Sequence, residues 1–154
     1  MSADWFWEGN VARAVASHLE TEGWAITFIA DTASRQRGVD VLAEKDGRVL
    51  AVEVKGFPSK AYADPRRAGE QKRTSPSTQA NHWFAQALLA AMKYRGDRPD
   101  ADIAVAFPDY STYRRLLART RASLDLLRLG VYLVREGGVV TRLDSTEDDC
   151  SEAY

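Results

Sequence analysis

Apolar and polar positions along this chain repeat with two different periods, and the places where one gives way to the other mark its elements. Glu8, Val11, Val15 and Leu19 recur at helical spacing. That stripe predicts a helix capped by Asp4, running to about Glu22, ending at Gly23 and facing a core. Residues 24–32 (WAITFIADT) are rich in β-branched and aromatic side chains and predict a strand. Residues 39–45 and 48–54 predict two more, separated by Asp46-Gly47, the dipeptide preferred in two-residue hairpin turns.

Residues 56–77 break the regularity. They are too rich in Pro, Gly and charge for a core element and too long for an ordinary connection, so a functional loop is expected. Ser77 or Thr78 is expected to cap a second helix that ends before Gly96. Residues 102–107 (DIAVAF) predict a short buried strand, residues 110–129 a helix closed by Gly130, and residues 131–143 a final hairpin. The order α-β-β-β-α-β-α-β-β, with no internal repeat, predicts the α/β class with a central mixed sheet flanked by helices. Residues 1–143 read as a single domain and residues 144–154 as an acidic C-terminal tail.

The chain has 154 residues, 45% of them hydrophobic and 10% aromatic, enough to bury a real core. Its one cysteine, Cys150, lies in the tail. This excludes a disulfide framework and a cysteine metal site, and suits a reducing compartment. The opening MSADWFWEGN carries acids where a signal peptide has a basic start, and nowhere do eighteen apolar residues run together. A cytoplasmic chain with no membrane partner is therefore expected. All 21 basic side chains, but only 17 of the 22 acids, precede residue 143. The body is thus mildly basic, a balance that permits a polyanionic partner without requiring one.

Charge placement in the first hairpin is more informative. A two-residue turn at 46–47 pairs Lys45 with Arg48 and, by continuation, Asp40 with Glu53. Directly opposed residues have β-carbons about 4.5–5.5 Å apart, where two carboxylates repel and attract a cation. Lys55 shares their face by alternation, while Val52 and Val54 point the other way. Two hard oxygen donors hold Mg²⁺ and leave coordination positions for water and a phosphate oxygen. The hairpin end therefore suits metal-assisted hydrolysis of a phosphodiester, with Lys55 as a donor or proton acceptor beside the attacking water.

Gly38-Val39-Asp40 followed by Glu53-Val54-Lys55 resembles the active-site signature of the PD-(D/E)XK nuclease superfamily, the restriction-endonuclease-like fold, and in particular its small resolvase-like and Mrr-like members. Val39 stands where the signature has proline. The expected element order extends the resemblance over most of the chain. The resemblance implies that Asp40 and Glu53 are ligands for Mg²⁺, with Mn²⁺ as a substitute, and that Lys55 orients or activates the nucleophilic water. It further implies that Glu8 is the helical glutamate placed near the metal, and that Gln79 is a glutamine near the scissile phosphate.

Gln79, His82 and Gln86 share one face of the second helix, whose start also offers free amides to a phosphate. Lys60, Arg66, Arg67, Lys72 and Arg73 lie in the long loop with Phe57 and Tyr62, and are expected, with His82, to meet a nucleic-acid backbone. Arg114, Arg115, Arg119 and Arg121 read as a solvated helix face. Trp5, Phe6, Trp7 and Trp83 read as core or dimer-interface aromatics. There is no glycine-rich phosphate loop, cysteine or histidine metal cluster, or nucleophile elbow. The expectation is a Mg²⁺-dependent endonuclease acting on DNA, as a homodimer. Two alternatives stay open: a nucleic-acid-binding module that does not cut, and a regulatory subunit on the same fold.

Overall fold

A computed structural model describes residues 5–30, 38–57, 66, 69–70 and 75–143. Its elements are α1 (Glu8–Thr21), β1 (Ala25–Ile29), β2 (Val41–Lys45), β3 (Arg48–Val54), α2 (Pro76–Asp97), β4 (Asp102–Pro108), α3 (Ser111–Leu126), β5 (Leu129–Arg135) and β6 (Val139–Leu143). The strands form one six-stranded sheet in sequence order. The β3–β4 and β4–β5 pairs are parallel and the others antiparallel. The class is α/β, with the expected element order and a mixed sheet between helices.

Strand alternation divides the core in two. Val11, Val15 and Leu19 of α1 pack on one face of the sheet against Val41, Val52 and Val54. On the other face, Phe84 and Ala87 of α2 and Tyr113 and Leu117 of α3 pack against β4 and β5. Phe107 stacks between Phe84 and Tyr113, at ring-centroid distances of 5.3 and 4.4 Å. These two helices are the crossovers of the parallel strands, so they share a face. They cover its β3–β5 half.

Local chemistry sets the ends of the elements. Asp46 and Gly47 both have positive φ (51° and 77°), as a tight hairpin turn with the sheet's twist requires. The expected cap at Ser77 or Thr78 is corrected: Ser75 caps α2, its side chain accepting from the Thr78 N–H at 3.3 Å, with Pro76 in the first turn. Proline lacks the N–H that would be unbonded there. Helix α2 also passes Gly96 and ends at Asp97. Helix α1 starts at Glu8 with Trp7 as its N-cap residue; Asp4, its expected cap, lies outside the described residues. Helix α3 stops at Leu126, earlier than the expected 129, because Arg128 turns left-handed (φ 51°) and Leu129 already belongs to β5. Arg95 of α2 donates to the carbonyls of Leu127 and Arg128 just past that end.

Strand β1 is shorter than residues 24–32 and carries an irregularity between Ile26 and Phe28: Ile26 pairs with Ala43, but Phe28 with Leu42. Such a bulge shifts the alternation of side chains by one. Among the described residues, no helix is long and apolar enough to cross a membrane. The tail, residues 144–154, lies outside the described residues.

Leu19 is fully buried under the sheet, while Leu126 is 86% exposed. Leu19→Ala is expected to cost about 2–5 kcal/mol in urea unfolding, and Leu126→Ala less than about 0.5 kcal/mol.

Candidate active site

Strand β3 emerges from the middle of the sheet with Val52 and Val54 buried against α1 and Glu53 turned to the α2 side. Glu53 is only 6% exposed. Its Oε1 pairs with Lys55 Nζ at 3.3 Å, and its buried Oε2 has no hydrogen-bond partner among the described residues. Burial first, then the neighbouring Asp40 and Glu8 carboxylates, push the Glu53 carboxyl up to about 7 against the pull of Lys55. A carboxylate buried with one bare oxygen is costly unless a proton or cation joins it.

Asp40 lies at the same sheet end, with one correction to the expected geometry. Regular β2–β3 pairing ends at Val41 opposite Val52, one residue short of the Asp40–Glu53 pair. Asp40 instead donates its N–H to the Val52 carbonyl at 3.1 Å, and its own carbonyl accepts from the Ala30 N–H at 2.7 Å. Its carboxylate accepts from the Val54 N–H at 2.7 Å. Burial raises its affinity for a proton, and the Val54 hydrogen bond and Lys55 counter this.

Glu8 reaches the cluster from α1. It is held above the usual carboxylate range, by burial and then by Asp40, while Lys55 and the Gly56 N–H, which donates to it, act in the opposite direction. The contact requires a glycine at 56. A β-carbon there would stand 2.6 Å from the Phe6 carbonyl oxygen and 2.9 Å from the Glu8 nitrogen. Phe57 N–H donates to the same Phe6 carbonyl at 3.2 Å. From α3, the buried Tyr113 hydroxyl donates to the Gly56 carbonyl at 2.7 Å. Gly56 thus joins the end of β3 to the start of α1 and to α3. Sequence reasoning passed over both residues. A glycine directly after Lys55 is a readable sign of close backbone approach, whereas nothing local marks Tyr113.

Among the described residues, no three His, Cys, Asp or Glu side chains converge as a metal cage. Asp40 and Glu53 with open positions nevertheless suit Mg²⁺, which binds through one or two carboxylates and keeps several waters. The bare Glu53 Oε2 is the group in this structure that fits such a cation.

The other expected site residues divide. Gln79 stands in the first turn of α2, its N–H bonded to the Ser75 carbonyl at 3.0 Å. His82 is exposed one turn on. Neither lines the groove of about 760 Å³ into which Glu53 and Lys55 open, although Gln86 does. Arg66 is exposed; Lys60, Tyr62, Arg67, Lys72 and Arg73 lie outside the described residues. Arg114 is paired with Asp109, with Nη2–Oδ2 at 2.8 Å. Arg121 pairs with Asp125 at 3.5 Å. Trp5 stacks on Tyr110 (5.5 Å) and Phe57 packs on it with its ring tilted by 40° (4.2 Å), in an aromatic cluster beside Gly56, while Trp7 is 47% exposed.

No protein-family model and no curated protein matches the chain. Solved structures similar to it include the following two. One is an fdxN element excision controlling factor protein from Anabaena variabilis, with a TM-score of 0.52 and 21% identity over 87% of this chain and 98% of that one. The other is a XisH family protein from Nostoc punctiforme, with a TM-score of 0.50 and 22% identity over the same shares of each chain. Identity this low carries the fold alone.

Two outcomes follow from the cluster. Glu8, Asp40 and Glu53 all hold protons more tightly folded than unfolded, so the stability that these three groups contribute is fully present below the ordinary carboxylate range and is lost as pH rises from about 4.5 to about 7. Thermal unfolding in EDTA across that window is expected to show this fall, shallower in Glu53→Gln. Gly56→Ala is expected to cost about 1–3 kcal/mol in chemical unfolding, because both atoms in its way are backbone.

Proposed function

We propose that this chain is a Mg²⁺-dependent nuclease of the PD-(D/E)XK type that hydrolyses phosphodiester bonds in DNA. The observation that carries the reading is Glu53: buried, its Oε1 on Lys55, its Oε2 bare, and Asp40 and Glu8 close enough to raise its proton affinity. On this reading Asp40 and Glu53 hold the cation. A cation held there would supply charge neutralisation at the phosphate and a more acidic attacking water.

The chain's own groups have separable tasks. The Val54 N–H fixes the Asp40 carboxylate, so that acid needs no reorganisation when substrate arrives. The Lys55 ammonium occupies Oε1 and leaves Oε2 directed elsewhere. Lys55 is also the donor beside the phosphate, able to orient a water or stabilise charge on a phosphate oxygen. Glu8 adds negative charge behind the pair and accepts from Gly56, which keeps the start of α1 against the site. Gln79 and His82 lie nearer the start of α2 than the groove-lining Gln86, where they would meet nucleotides flanking the scissile phosphate.

A second reading has its own support. The body of the chain is mildly basic, and residues 60–73 carry five lysines and arginines against two acids, a balance that permits binding of a polyanion without any cleavage. The same fold and basic loop would serve a binding module that does not cut.

Cleavage of labelled plasmid, linear duplex, branched and single-stranded substrates in Mg²⁺, Mn²⁺ or EDTA separates the two. The nuclease is expected to cut only with metal, and Asp40→Asn, Glu53→Gln and Lys55→Met each to slow it by about 10²–10⁴-fold. Mg²⁺ is expected to raise the melting temperature of the wild type and not of Glu53→Gln. No cutting and no Mg²⁺ shift, with DNA retained by wild type and variants alike, overturns the nuclease in favour of the binding module.

A further inference from the structure

Among the described residues, helices α2 and α3 lie over the β3–β5 half of their face of the sheet and not over its β1–β2 half. The groove of about 760 Å³ lies there, with the sheet as floor, α2 as wall, and Glu53 and Lys55 in its lining. The bulge in β1 contributes directly. Ile26 packs with the α1 side of the core, and unbroken alternation would send Phe28 there too. The irregularity turns Phe28 into the groove beside Leu42 instead. Along the wall stand Leu89, Lys93, Tyr94 and Arg98. Leu89 is 52% exposed, and the Arg98 guanidinium sits 4.8 Å from the centre of the Tyr94 ring.

We infer that this groove takes an unpaired strand of nucleic acid, so that the substrate is single-stranded or carries a single-stranded arm. The inference deepens the nuclease reading and rests on it for the placement of the scissile phosphate at Glu53. Three observations carry it. Glu53 is 6% exposed and belongs to the lining of the groove, so a phosphate that reaches it lies along the groove with its neighbouring nucleotides against the same walls. The groove combines apolar and aromatic surface for bases with Lys93 and Arg98 for phosphates, the composition that binds unpaired strands without reading sequence. Its five charged lining residues, Glu53, Lys55, Lys93, Asp97 and Arg98, balance in favour of cations, and the two acids include the proposed cation ligand Glu53.

The test is binding of a fluorescent oligothymidylate and of a blunt duplex of equal length, by anisotropy in EDTA, where nothing is cut. The single strand is expected to bind at least about tenfold tighter than the duplex. Lys93→Glu with Arg98→Glu, and separately Tyr94→Leu, are expected to weaken strand binding by about tenfold or more. Circular dichroism checks that these surface variants fold. Equal or tighter binding of duplex, or strand binding indifferent to these substitutions, overturns the inference. A dimer that Leu89→Asp converts to monomer without touching strand affinity also overturns it, since the groove is then an interface between copies. Absence of cleavage in Mg²⁺ with groove-dependent strand binding intact sinks the nuclease and leaves the strand groove standing.

Discussion

A β-strand must send alternate side chains to opposite faces of its sheet, and at the end of β3 that rule forces a charged pair into the interior. Val52 and Val54 have to reach the α1 core, so Glu53 and Lys55 must turn to the other layer, where α2 and the sheet meet. Everything else at the site adjusts to the resulting carboxylate. Lys55 pairs with one of its oxygens, Asp40 leaves the regular ladder beside it, and Glu8 approaches from a third element. The two apolar cores fix the positions of charges that would otherwise move apart.

The connections behind the site are equally constrained. Three elements from distant parts of the sequence meet at Gly56: its N–H serves Glu8, its carbonyl accepts from Tyr113, and its missing β-carbon makes room for the Phe6–Glu8 backbone. The aromatic side chains around it, Trp5, Phe57 and Tyr110, close this joint from outside. Such a joint keeps the α1 glutamate in register with β3 without any covalent link between them.

Much of this was legible in the sequence, and the reason is locality. Hairpin register follows from Asp46-Gly47 alone, because a two-residue turn fixes each later pair until the ladder ends. The core stripe of α1 follows from period, and the order of elements from composition and punctuation. What was not legible depended on contacts across the fold. Asp40 leaves the ladder because its carboxylate finds the Val54 N–H, an alternative that counting residues does not reveal. Ser75 outcompetes Ser77 and Thr78 as a cap because Pro76 fits the first turn. The contribution of α2 to the groove, from Gln86 to Arg98, falls on positions that nothing local sets apart from the rest of the helix until the strands beside them are placed.

The irregularity in β1 has a second effect, on the rim of the molecule. A sheet whose outermost strand is flat and regular presents a row of backbone donors and acceptors on which another chain can lie. Here the outer strand is five residues long and loses its regular spacing between Ile26 and Phe28. The kink that turns an aromatic ring inward also spoils that template. It makes β1 a poor seed for extending the sheet from one molecule into the next, so a single residue's displacement both shapes the interior of the groove and blunts this edge of the sheet.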